Sequence, residues 1–202
     1  MEFKDLYSFA EDAITEREKS GKKTAVPVRN LADEIIQKTI WLESVNIYPV
    51  DHHKNDPFGH YECHGNQESH WEEADAWTAL ITYNNTLNIC EKRFVVCKEL
   101  MHVFDKEQSQ VRNGDQYKIL VTEIELRPIN QSEQYISENT AQWMALLVLC
   151  PKIHRDKMVA LAENDTISFF EVALKFRIPE SVVQSLISEY YDSAYDLLIQ
   201  NG

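Results

Sequence analysis

Eight of the eleven residues in FVVCKELMHVF (94–104) are apolar, and no other stretch limits the possible folds so strongly. Placed on a helix at about 100° per residue, the apolar side chains cover most of the circumference. A helix of that kind lies inside a core rather than on top of one. The polar residues are not scattered through it. Lys98, Glu99, His102 and Asp105 share one side, and Lys98 and His102 stand one turn apart. The fold must therefore enclose this helix and also satisfy a single polar stripe on it. One way to do so is a buried ion cluster that holds Lys98 to a carboxylate.

A second segment supplies the carboxylate. SENTAQWMALLVLCP (137–151) is apolar over most of its surface, carries Glu138 near its start, and ends at Pro151. Ala141 and Ala145 form a small-residue stripe that lets a neighbouring helix approach closely. Taken alone, Glu138 reads as a first-turn carboxylate favoured by the helix dipole. Beside the first helix it becomes the natural partner of the polar stripe, because a buried carboxylate needs one.

The remaining chain supports an α+β, helix-dominated fold. Helical spacing covers 3–19 and again about 28–42, where Leu31, Ile35, Ile36 and Ile40 share a face. SVNIYPV (44–50) and WTALITY (77–83) read as strands, the second ended by Asn84-Asn85. Residues 51–76 are polar, rich in histidine and aperiodic, and read as a long loop. The motif helix is expected over about 92–106, and ILVTEIEL (119–126) fits either strand or helix. A long helix should run from a Ser132 or Ser137 cap to Cys150, followed by helical patterns at 155–163, 167–175 and 179–199. His154, just after Pro151, reads as an exposed helix-start residue. The organisation expected is a core over 1–150 with N-terminal helices, a small β-sheet and the His-rich loop, and a C-terminal helical segment over 151–202 packed on it.

Composition narrows the function classes. At 202 residues with 44% hydrophobic content, 5 glycines and 6 prolines, the chain is an ordinary globular protein with enough residues for a real core. A formal net charge of -13 argues against direct nucleic-acid binding, which needs clustered Lys and Arg, and favours a protein or peptide partner. The amino end lacks a signal-peptide layout, no apolar run approaches a membrane span, and the four cysteines show no C-x-x-C pairing. These features point to a cytoplasmic protein with reduced thiols.

Several of these strings, in this order, resemble the ImmA/IrrE-type zinc metallopeptidases. In that family an R-F segment leads into an H-E-x-x-H helix, and a glutamate opens a later helix of the form E-x-x-A-x-x-x-A-x-x-L-L-x-P. Arg93 and Phe94 match the approach to the first, and Glu138, Ala141, Ala145, Val148, Leu149 and Pro151 match the second. VPVRNLADEIIQKT, ALITYNNTLN and EVALKFRIPESVVQSLI are similar to the lead-in helix, the preceding strand and the closing segment, so the resemblance spans roughly residues 25–190. It implies a zincin-like core, Glu99 in the general-base position, and His102 and Glu138 in metal-ligand positions. It also implies a repressor-type regulator as partner.

The departure falls at the chemically decisive place. In H-E-x-x-H both histidines hold zinc and the glutamate acts on the bound water. Here Lys98 stands where the first histidine is expected, and an ammonium has three donors and no lone pair for a metal. The reading this favours is a degenerate relative with no metal cofactor, in which Lys98 replaces the metal's charge, Glu99 is idle, and function rests on binding. On this reading the strand TALITY before the motif helix offers an edge to an extended peptide. Two alternatives stay open: an active zinc endopeptidase that recruits a ligand from His52, His53, His60, His64 or His70, and a DNA-binding regulator using FRIPESVVQSLI.

Overall fold

The computed structural model describes residues 1–21, 25–51, 58–65, 77–106, 109, 111, 114–126, 130–164 and 166–200. Two helices open the chain, α1 (Phe3–Lys19) and α2 (Val28–Lys38), followed by strands β1 (Leu42–Val50), β2 (Gly59–Gly65) and β3 (Trp77–Asn84). Then come α3 (Ile89–Met101), which tightens into a 3-10 turn (His102–Phe104), α4 (Gly114–Leu126) and α5 (Glu133–Leu149). The C-terminal part holds α6 (Lys152–Glu163), α7 (Phe169–Phe176), α8 (Val183–Ile187) and α9 (Glu189–Tyr195). The fold is α+β and helix-dominated. Among the described residues no helix is long and apolar enough to cross a membrane.

The sheet runs β1-β3-β2, with β1 parallel and β2 antiparallel to β3. Two expectations are corrected here. Part of the polar 51–76 stretch is a strand, β2, whose alternation is hidden because one face carries Tyr61 and Cys63 while the other carries His60, Glu62 and His64. And β3, which contains TALITY, is the central strand, so its backbone is used on both sides. Among the described residues the outer edges are those of β1 and β2, and the one beside α3 and the cleft is that of β2.

Helix α3 begins earlier than apolar spacing indicates, because Asn88 caps it. The Asn88 Oδ1 accepts from the backbone N–H of Cys90 and Glu91, and Glu91 returns a bond to the Asn88 N–H. Phe94, Val96, Cys97, Leu100 and Met101 are buried in one continuous core that also takes in Leu6, Ile35, Ile81, Ala145, Phe176, Leu186 and Tyr191. That core reaches from α1 to α9, so the C-terminal helices close the same interior that holds α3. Helix α5 is capped by Ser132, whose N–H and Oγ both donate to the Glu123 carboxylate of α4.

Three smaller expectations also change. Helix α2 stops at Lys38, and Ile40 lies past its end with 97% of its surface exposed, so it is not on the apolar face. The 119–126 segment is helical, within α4. His154 is 2% exposed, because α6 packs it against α1 where its Nε2 meets Thr15 Oγ1 at 3.1 Å.

Candidate functional site

α3 and α5 pack face to face, and the meeting point of their polar residues is the site. Because α5 starts at Ser132, Glu138 lies in its second turn rather than at its head, and the dipole account of this residue falls away. Its carboxylate instead meets the stripe on α3. Glu138 Oε2 is ion-paired with Lys98 Nζ, which also donates to Glu99 Oε1 at 3.1 Å. Glu138 Oε1 lies 3.4 Å from His102 Nε2. The structure thus brings together all four residues singled out from the sequence: Lys98, Glu99, His102 and Glu138.

The imidazole is held from its other nitrogen. His102 Nδ1 donates to Asp105 Oδ2 at 2.7 Å, and Ser137 Oγ donates to the same oxygen at 2.6 Å. With Nδ1 carrying its proton, a neutral ring would leave the Nε2 lone pair close to the oxygens of Glu138 and Glu99, 3.4 and 3.8 Å away. A proton on Nε2 removes that repulsion. Burial opposes the charge, but Asp105 and Glu138 outweigh it and raise the His102 pKa to about 9. Burial likewise opposes ionisation of Glu138, yet His102 and Lys98 hold its pKa at about 2. Lys98 is partly buried, which opposes its charge, but its two carboxylates keep its pKa above the usual value for lysine. Even so, His102 Nε2 makes no hydrogen bond. It has charge partners but no aligned acceptor.

Gly59 explains how β2 comes so close to this cluster. A Cβ there would meet Val95 Cγ1 at 2.5 Å and Glu99 Oε1 at 2.9 Å. Only a glycine lets the strand lie on α3 and press the Glu99 carboxylate between itself and Lys98. Next to it, the Tyr61 ring tilts over His102 with centroids 5.9 Å apart. A cleft of about 580 Å³ opens here, with β2 on one wall, the Lys98–Glu138 cluster on its floor, and Leu120, Val121 and Ile124 of α4 on the far wall.

The β2 wall has a defined polarity. The Asn84 N–H donates to Phe58 O at 2.9 Å, which makes 58 and 84 a hydrogen-bonded pair. Down the antiparallel ladder the same holds for 60/82, 62/80 and 64/78. Gly59, Tyr61, Cys63 and Gly65 therefore turn their N–H and C=O groups to the outer edge, where no described strand pairs with them.

Zinc can be tested against these donors. His102 Nε2, buried and without a hydrogen bond, and Glu138 look like two metal ligands, but the position expected of a third is taken by an ammonium without a lone pair. His60 and His64 do not make up the deficit, since each bonds Glu62 at 3.0 Å on the opposite sheet face. His52, His53 and His70 lie outside the described residues. Among the described residues no group of three or more His, Cys, Asp or Glu is placed to hold a metal. The described residues do not fit a zinc centre.

Sequence reasoning missed Gly59, Tyr61 and the α4 wall, and took Ser137 for a possible cap. Nothing in the string marks a glycine in a polar stretch as a contact with a helix thirty-six residues on. A serine next to Glu138 was the one available sign for Ser137. The FRIPESVVQSLI segment forms the end of α7, a turn at Arg177 and the five-residue α8, whose Val183 and Leu186 face the core. The chain matches no protein-family model, no curated protein and no solved structure.

Proposed function

We propose that this protein is a metallopeptidase-like binding protein of the ImmA/IrrE type, without zinc and without hydrolytic activity. It acts in the cytoplasm by holding an extended segment of a partner protein, such as a repressor-type regulator, along the outer edge of β2. The observation that carries this reading is the Lys98 ammonium lying between Glu99 and Glu138. Together with protonated His102 it supplies the two positive charges that a zinc ion would bring, so Glu99 and Glu138 are balanced without metal and Asp105 is left as the surplus carboxylate. Glu99, the general-base position, is spent on Lys98 and pressed against Gly59. The outer edge of β2, unpaired among the described residues, supports binding by strand addition, in which backbone hydrogen bonds give affinity. Metal analysis tests the proposal. Protein incubated with zinc and dialysed against a weak chelator should retain far less than one equivalent. One equivalent of zinc that is lost on changing His102 or Glu138 would overturn it.

A further inference from the structure

The backbone edge of β2 accepts any extended segment, so preference among partners has to come from the rest of the cleft. Two features bear on it. Across from β2, α4 presents Val121 and Ile124, 37% and 51% exposed, beside a buried Leu120, as an apolar wall with no described cover. An exposed apolar wall inside a cleft is an unusual use of surface in a protein this polar, and it fits a large apolar side chain. The second feature is charge. Glu99, Asp105 and Glu138 line the floor of the cleft against two cations, Lys98 and His102, while Glu62 on the outer face of β2 is paired with His60 and His64. Carboxylates remain in excess, in a chain of net charge -13. A recess lined mainly by one sign of charge concentrates ligands of the other sign.

We infer that the partner segment is an extended strand that presents a large aliphatic side chain to the α4 wall and carries a neighbouring lysine or arginine. This rests on the proposed strand addition at β2 and names what that site selects. An acidic segment is repelled by the surplus carboxylates, and a small polar one leaves the α4 wall uncovered.

Three short capped peptides test it. The first alternates threonine with isoleucine and carries one lysine; the second replaces the isoleucines with serine; the third replaces the lysine with glutamate. Fluorescence anisotropy gives the affinities, and amide NMR shifts of Gly59, Tyr61, Cys63 and Gly65 report where each peptide lies. The first peptide should bind on the order of tenfold or more tighter than either of the others. Its advantage over the glutamate peptide should shrink as salt is raised. Ile124→Asp, at an exposed position, should remove the preference for isoleucine while the protein's melting temperature stays near wild type. If all three peptides shift the β2 amides with equal affinity, the selectivity inferred here is wrong while strand addition stands. If none of them moves those amides, strand addition at β2 is wrong, and the inference falls with it.

Discussion

Two clusters in this molecule bury a cation between carboxylates of neighbouring helices, and they are finished to different degrees. Arg155 of α6 donates to Leu186 O at 2.8 Å, to Ser188 O at 3.0 Å, and to Asp156 and Asp192 at 2.9 and 3.2 Å, with its guanidinium 4.7 Å from the Tyr191 ring centre. Its polar groups are satisfied in one geometry, as in most buried polar sites. At Lys98 the carboxylates outnumber the cations, a ring nitrogen lacks a hydrogen bond, and the whole cluster forms the floor of a cleft. The Arg155 cluster fixes α9 onto the core. The Lys98 cluster lies at the floor of a recess and leaves a ring nitrogen without a hydrogen bond, as the His154 ring also does where α6 packs on α1.

The contrast can be broken first by removing the cations. Lys98→Met strands the Glu99 carboxylate, 5% exposed, beside Glu138, and should destabilise the protein by about 3–5 kcal/mol in urea unfolding near neutral pH. The loss should shrink in acid, where the stranded carboxylates are free to take up protons. Arg155→Met should cost about 2–3 kcal/mol through its lost carbonyl bonds, with a smaller recovery in acid, because Asp156 and Asp192 are half-exposed and keep Lys152 as a partner. Identical pH profiles for the two variants would erase the distinction drawn between the clusters.

The pH dependence of the wild type sharpens it. His102 is raised from 6.5 to about 9 on folding, so its contribution is full below 6.5 and lost as the pH rises toward 9. Glu138 is lowered from 4.5 to about 2, so its contribution is full above 4.5 and lost as the pH falls toward 2. The site should be most stabilising between those limits, with a fall of about 3 kcal/mol on either side. Urea titrations at a series of pH values measure both arms, and His102→Gln should abolish the alkaline one. An alkaline arm that survives His102→Gln would place the titrating group elsewhere.

Two further variants probe how the site was built. Lys98→His would set three metal-binding side chains on facing helices, and zinc at a hundredfold excess over its Kd should then stabilise the variant by about 2.7 kcal/mol. Calorimetry showing no zinc affinity beyond wild type in the folded variant would remove the metal-site ancestry and leave an ion cluster alone. Gly59→Ala should cost about 1–3 kcal/mol by overpacking against Val95 and Glu99, seen as a lower melting temperature. A neutral result would mean that β2 does not lie as tightly on α3 as described.

Much of the site was legible in the sequence because it sits on two helices whose periodicity is strong. Lys98, Glu99 and His102 fall on one side of an otherwise apolar helix, and Glu138 on another apolar helix has no cheaper partner. The β2 wall was not legible. Its histidines and glutamate point to solvent, which makes an edge strand look like a loop, and only the register with β3 reveals the alternation. TALITY read as an edge because strand composition carries no information about sheet order. His154 read as exposed because a helix start after proline is usually solvated, and only the packing of α6 against α1 buries it.

The Arg93 side chain has a consequence for how the protein is made. Its guanidinium donates to Val26 O at 2.8 Å and to Phe176 O at 2.9 Å, bridging segments 67 and 83 residues away along the chain. Arg93 lies little more than one turn before Lys98 on the same helix, so the helix bearing the cleft floor is anchored by a segment synthesised some 83 residues after it. Contacts this distant in sequence form late, because the intervening loop must be closed first. A chain released at residue 150 would lack the α7 anchor and leave Arg93 with a single carbonyl. The recess therefore matures only after α7 has been made, and a nascent chain cannot offer it to a partner until that helix has docked.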